Sequence, residues 1–347
     1  MPDRQRIRSG EAPRPGCGEK ESVVMRRTGK IGVVAVAVTM FVLLSRPADA
    51  LVDDPTTSFT APAASLVMPF DATEGWVTFM IVSNIAGVTP IAGGEILGVT
   101  THWSYWSDSC DHLVDVWVCM TLNDTIVVDP TNVSDVDVGN EQVGRRSNLS
   151  GFRGTVVVTA YGTDESCNEG SVGGYVPIDN AIVGAATRAS TTAGYSFGSD
   201  AVGLGLDPSG SYVELPTGVD PTIDIMTLNP GTVENSSLVL MSLSESAGNG
   251  PVASIEVGPN DGPKNSSLTF FDTFENPTSL PDVSFGCSAF TSIPEFFPES
   301  MGVDSSGIVR MLDVNDSPGD FVFALHGQAV GSFGGSTYGK YRLTASQ

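Results

Sequence analysis

The chain has 347 residues, and its 40 acidic and 17 basic side chains give a net charge of −23 at pH 7. A surface of that sign repels phosphate backbones and anionic membranes, which excludes nucleic acid as an expected partner. The length fits about two domains.

Residues 1–24 are polar and rich in Arg, Pro and Gly, and read as an N-terminal extension placed ahead of the true start at Met25. From Met25 the layout is that of a secretory signal peptide. Arg26, Arg27 and Lys30 form a basic start, Ile31–Leu44 is uncharged and apolar, and Ala48-Asp49-Ala50 offers a small-x-small cleavage site. The apolar run of fourteen residues falls short of the roughly twenty that span a bilayer. No second apolar run is long enough to cross. Nine of the basic and five of the acidic residues lie in the first fifty, so the chain from Leu51 carries 8 basic and 35 acidic side chains. The expected product is secreted, to the periplasm, the medium or the cell surface, after cleavage near Ala50.

Beyond the leader the pattern is period two. Ser65–Phe70 and Trp76–Ser83 read as strands, and Ile96–Thr100 leads into Thr101–Ser107. The segment Thr101–Pro130, THWSYWSDSCDHLVDVWVCMTLNDTIVVDP, holds three of the four tryptophans and two of the three histidines. In its first strand Trp103 and Tyr105 share one face, and His102, Ser104 and Trp106 the other. In Leu113–Leu122, Val114, Val116, Val118 and Met120 share a face, opposite Asp115, Trp117, Cys119 and Thr121. These two strands form a hairpin across Asp108–His112, with Thr125–Asp129 following. Gly154–Gly162, Ala181–Ser190 and Gly194–Ser199 complete a first strand set.

Gly203–Pro230 is rich in Gly, Pro and Asp and reads as a linker. A second set follows: Ser237–Leu243, Ala253–Val257, Leu268–Phe274, Val283–Ile293, Ile308–Val314, Phe321–Val330 and Tyr338–Thr344. No amphipathic helix stands out. The expected fold is all-β, with two antiparallel β-sandwich-like domains over 51–202 and 233–347 joined by a linker at 203–232. A diverged tandem duplication is suggested by Trp103, Trp106 and Cys119, which recur as Phe271, Phe274 and Cys287, each 168 residues on. One large two-sheet domain is the alternative.

Four cysteines follow the leader, and an oxidising address favours disulfides. Cys110 at the hairpin tip lies roughly 20 Å from Cys119 at about 3.3 Å per residue, too far for a bond. Cys110 and Cys167, each in a short acidic loop after a strand, are the expected pair. That leaves Cys119 and Cys287 free and buried, or joined between domains.

Gly194-Tyr195-Ser196-Phe197-Gly198 matches G-x-S-x-G, the nucleophile elbow of many hydrolases. The elbow needs a strand-to-helix turn, and no helix follows here. His102, His112, Asp108, Cys110 and Asp111 are donor types for a transition metal but lack a metal spacing. Asp129, Asp135 and Asp137 sit in an acidic loop whose oxygens suit calcium. Leu312–Phe321, LDVNDSPGDF, is similar to the cadherin interdomain calcium motif, with Asp313, Asn315 and Asp316 at matching positions; the partner acidic motifs are absent. A solvated acidic loop accounts for either stretch equally well, and calcium is the one cofactor to consider. Trp103, Tyr105 and Trp106, with Trp76 and Trp117, would make a sugar-stacking platform, although core packing uses the same residues. The expected role is a non-catalytic extracellular one: structural, adhesive or ligand-binding, with a glycan or another surface protein as partner. The alternatives are a carbohydrate-binding protein or glycosidase using the Trp103–Trp117 region, and a calcium-stabilised surface protein.

Overall fold

The computed structural model describes residues 62–86, 89–91, 94–96, 98–121, 123–134, 146–163, 177–192, 194, 196–214, 225–228, 236–246, 254–259, 262–292, 307–312, 320–329 and 336–342. They are strands joined by turns, and the helical element among them is a single 3-10 turn, Pro130–Asn132. The strand pairings are antiparallel. Residues 50–347 form one compact unit.

Four sheets carry the fold. Sheet I has the order β12 (Ser196–Asp200), β11 (Ile182–Ser190), β2 (Trp76–Asn84), β7 (Thr125–Val128). Sheet II runs β14 (Tyr212–Glu214), β13 (Val202–Leu206), β1 (Ser65–Asp71), β10 (Arg153–Thr163), β5 (Gly98–Ser107), β6 (His112–Thr121). Sheet III runs β17 (Ser254–Val257), β16 (Ser236–Ser246), β22 (Asp320–Ala329), β23 (Ser336–Arg342), with β20 (Ser288–Ser292) also paired to β16. Sheet IV runs β15 (Ile225–Leu228), β21 (Gly307–Leu312), β18 (Lys264–Asp272), β19 (Pro277–Phe285). Two small ribbons, β3 (Thr89–Ile91) with β4 (Gly94–Ile96) and β8 (Val133–Ser134) with β9 (Arg146–Ser147), complete the set.

Three apolar layers order these sheets as a stack. Leu66, Met68, Phe70, Trp103, Tyr105 and Val158 of sheet II meet Met80, Val82, Ile182 and Ala186 of sheet I. On its other face sheet II meets sheet III, through Val67, Val157, Val202 and Leu204 against Val239, Met241, Leu243, Phe323 and Leu325. Sheet III turns Leu238, Leu240, Val322 and Ala324 to Leu268, Phe270, Val283 and Val309 of sheet IV. Central strands of the stack therefore have no solvent face. This is why β1, SLVMPFD, is buried at all seven positions and why FVFAL in β22 is an unbroken apolar run: a strand covered on both sides loses the polar half of its alternation.

The stretch expected as a linker, 203–232, instead contributes β14, most of β13 and β15 to sheets II and IV. Its Gly and Pro content hid short strands whose polar alternation was weak. The single strand expected at Val283–Ile293 is two, β19 and β20, broken by a turn at Gly286-Cys287. Cys119 lies within β6 while Cys287 lies in that turn, so the 168-residue shift does not pair equivalent positions.

The disulfide expected between Cys110 and Cys167 is not the one formed. Cys110 bonds Cys287, with Cα atoms 5.1 Å apart and 177 residues between them in sequence. Stacking of sheets II and III brings the β5–β6 tip over the β19–β20 turn, and layer order is not legible from loop composition. Cys287 is buried and is not free. Cys119 is itself disulfide-bonded, and Cys167 lies outside the described residues. Glycines make room for the bond: a Cβ on Gly286 would lie 3.1 Å from the Cys110 sulfur, and one on Gly258 3.0 Å from that of Cys287.

A second tie between layers is Arg188 of β11, which is buried. Its Nη2 donates to Ser237 Oγ of β16 at 2.9 Å, and Asp71 Oδ2 is 4.0 Å from Nη1. The guanidinium lies over Trp76, Phe197 and, from sheet III, Phe290, with the last centroid 5.1 Å away. A buried cation is tolerable where a carboxylate, a hydroxyl and aromatic faces replace its water.

Two predictions follow from burial and connectivity. Closing a loop of 177 residues removes chain entropy worth at most about 5 kcal/mol. Cys110→Ser with Cys287→Ser should thus lower the urea midpoint without changing the far-ultraviolet spectrum of the folded state. His326 of β22 is buried, its Nε2 has no hydrogen-bond partner among the described residues, and burial pushes its pKa from 6.5 down to about 4. The unfolded chain then binds the extra proton first, so stability is full above about pH 6.5 and is lost as pH falls toward 4, by about 3 kcal/mol. In His326→Leu that slope should vanish from chemical-denaturation curves taken across the window; an unchanged slope would show that other groups titrate there.

Candidate ligand-binding face

Sheet III covers the β13, β1 and β10 part of sheet II. Strands β5 and β6 extend past it as a ledge. On the ledge, register pairs His102 with Trp117, Ser104 with Asp115 and Trp106 with His112. His112 and Asp115 are three residues apart, which in a regular strand puts them on opposite faces. A bulge between Tyr105 and Trp106 on the partner strand's register, with Leu113 as the extra residue of β6, resets that parity. It turns His112 to the same side as Asp115. A strict period-two reading cannot see this.

Asp115 is the hub. Its Oδ1 lies 3.1 Å from His102 Nε2 and 3.0 Å from His112 Nε2. Partial burial would push its carboxyl up, but hydrogen bonds from His102 and His112, the charge of His102 and a bond from Ser104 outweigh that and hold it well below the usual carboxylate range. An ionised carboxylate only accepts, so both imidazoles carry their proton on Nε2. His102 is half-buried, and Asp115 and His112 are exposed.

Aromatic rings frame the hub. His102 stacks on Trp117 at 4.3 Å between centroids and 26° between planes. Trp117 meets Tyr161 of β10 at 5.8 Å. At the other end Trp106 and His112 meet edge to face at 4.9 Å, and Trp106 Nε1 donates to Ser104 Oγ at 3.0 Å. The strip from Trp106 to His102 is about 13 Å long at roughly 3.3 Å per residue. Asp108 at the hairpin tip is held by Arg153 Nε at 2.8 Å, which fixes the end of the ledge.

The residues singled out from sequence separate cleanly. Trp103 (1% exposed) and Tyr105 (0%) lie between sheets I and II and offer a ligand nothing; as platform residues they are corrected to core. Trp76 packs on Phe197. Of the expected platform, Trp106 and Trp117 are on the accessible face, and His102, His112, Asp115 and Tyr161 join them. Of the transition-metal donor types, Cys110 is in a disulfide, Asp108 holds Arg153 and Asp111 accepts from Ser109. Among the described residues no group of three His, Cys, Asp or Glu side chains is arranged to hold a metal ion. Asp129 caps the 3-10 turn by accepting from Thr131 N and Oγ1 at 2.8 Å each. Asp135, Asp137, Asp313, Asn315 and Asp316 lie outside the described residues. Ser196 opens strand β12 rather than a strand-to-helix turn, so the elbow geometry is absent. Ser104 is engaged by Asp115 and Trp106 rather than by an imidazole.

No protein-family model matches the chain, and no curated protein matches it. Among the described residues no helix is long and apolar enough to cross a membrane.

The core assignment of Tyr105 is testable. Its hydroxyl is buried with no hydrogen-bond partner among the described residues, and burial together with the charge of Asp129 pushes its pKa far up. An unsatisfied buried hydroxyl costs about 1–3 kcal/mol. Tyr105→Phe should therefore raise the thermal midpoint, and a lowered midpoint would show that the hydroxyl has a partner in solution.

Proposed function

We propose that this chain is a secreted, non-catalytic β-sandwich protein that binds a glycan on the ledge of β5 and β6. One observation carries the reading: Trp106, His112, Asp115, His102 and Trp117 form a continuous, partly exposed strip in which a fixed carboxylate lies between two aromatic ends. Sugar rings present apolar C–H faces that pack on aromatic rings and hydroxyls that donate to carboxylates. The strip offers both, and its side chains are locked by their own hydrogen bonds and stacking, so little order remains to be imposed on binding. The engaged state of Ser104 and of both Nε2 protons favours binding over acid–base or nucleophilic chemistry. Secretion is supported by the leader-like segment at residues 25–50 and by disulfides, which persist in oxidising compartments. Two sandwiches, sheets I with II and III with IV, support the tandem layout.

A structural or adhesive role without a glycan is the competing reading, and the ledge would then meet another surface protein. A glycan array separates the two. Binding to a defined set of glycans is expected, weakened at least tenfold, about 1.4 kcal/mol, by Trp117→Ala or Asp115→Asn and unchanged in Tyr105→Phe. Absence of signal on every glycan would sink the proposal.

A further inference from the structure

The outer face of sheet I is the other place where the molecule departs from its own pattern. The stack buries both faces of the central strands of sheets II and III, yet outward positions of sheet I are apolar and open. Phe79 is 46% exposed, Ile81 41% and Val127 63%. Register places Ile81 beside Val127 of β7 and beside Ala185 of β11, and Phe79 beside Thr187. Val183 and Ala185, both half-buried, extend the same patch.

From these positions we infer that sheet I is a homodimer interface, on which a second copy of this chain stacks its own sheet I face to face.

Charge selects that occupant. The chain carries −23, so two copies repel wherever their general surfaces meet. The outward positions of β2, β7 and β11 are Val77, Phe79, Ile81, Ser83, Thr125, Val127, Val183, Ala185, Thr187 and Ala189, with no charge among them. The nearest is Asp200 on the edge strand β12. This is a neutral face on a strongly acidic molecule, and identical neutral faces meet without the like-charge cost that any other pair of patches would incur. An anionic membrane is a poor alternative for the same electrostatic reason. Size sets the strength. β2 and β11 are nine residues long, β12 five and β7 four, which at about 4.8 Å between strands and 3.3 Å per residue gives a face of roughly 430 Å². Two such faces bury on the order of 900 Å², the scale of a weak, reversible dimer rather than an obligate one. Stacked sheets sit about 10 Å apart, the same geometry that joins the layers within one chain.

Sedimentation equilibrium of the full chain at micromolar concentration tests this. The expected result is a mass of two copies that falls to one on dilution. Ile81→Glu and, independently, Val127→Glu should weaken association about 100-fold or more while leaving the circular dichroism spectrum and thermal midpoint of the monomer in place. A single-copy mass throughout the micromolar range would overturn the inference whatever the variants do. So would a dimer that survives both substitutions with an unchanged dissociation constant, since a different surface would then be responsible. Binding of the wild-type chain, but not Val127→Glu, to anionic vesicles would assign the face to a membrane instead and equally overturn it.

Discussion

Val67, Val157, Val202 and Leu204 meet Val239, Met241, Leu243 and Phe323 across the middle of the stack, and everything else in the molecule depends on that contact. Each such side chain contributes roughly 1.5–3 kcal/mol when taken from water. Without sheet III, sheet II would expose a row of valines and leucines; without sheet II, sheet III would do the same. The contact also positions the ties between layers. It sets the β5–β6 tip above the β19–β20 turn, so that Cys110 reaches Cys287, and brings Ser237 and Phe290 to the buried Arg188. The covalent and ionic links hold an arrangement that apolar burial has already chosen.

The same contact creates the candidate site by ending where it does. Sheet III packs on β13, β1 and β10 of sheet II, and the face of β5 and β6 beside that contact would normally be polar. Here it is a compromise. Trp106 packs partly against the central core, while His102, Asp115 and Trp117 shield one another by stacking and hydrogen bonding. A surface that satisfies itself so thoroughly presents fixed rings and a fixed charge, and such rigidity lowers the ordering cost of binding.

Much of the fold is legible in the residues. Alternation in Thr101–Ser107 separates Trp103 and Tyr105 from His102 and Trp106, and the two faces are core and ledge as the pattern demands. The site itself is only half legible. The platform reading included two rings that the core consumes, because period two tells which side chains share a face and not which face is covered. The union of His102 with His112 was hidden for a different reason. It depends on one extra residue, Leu113, whose bulge flips every position before it. Nothing in HLVD distinguishes a bulged strand from a turn that has not yet ended. The disulfide partner was out of reach for a third reason, since a contact across 177 residues is decided by layer order alone.

Layer order also explains why β1, β16 and β22 read as plain hydrophobic strands while β19 does not. A strand in the middle of a stack needs apolar side chains on both faces, and a strand in an outer sheet needs them on one. By that rule Phe79, Ile81 and Val127 belong to an inner sheet, although in a single chain sheet I is an outer one. Sheet IV shows the ordinary solution. In β19 the positions facing sheet III, Leu280, Val283 and Phe285, are buried, while Ser279, Asp282 and Ser284 between them are polar and exposed or nearly so. The two outer sheets of one molecule thus follow opposite rules, and in the one that breaks the rule the outward positions of β2, β7 and β11 carry no charge, Asp200 standing at their border on the edge strand β12. An apolar outer face on an acidic chain is costly to leave in water and simple to lose by substitution. Apolar side chains at Val77, Phe79 and Ile81, successive outward positions of β2, are what a fifth layer, supplied by another copy, would require.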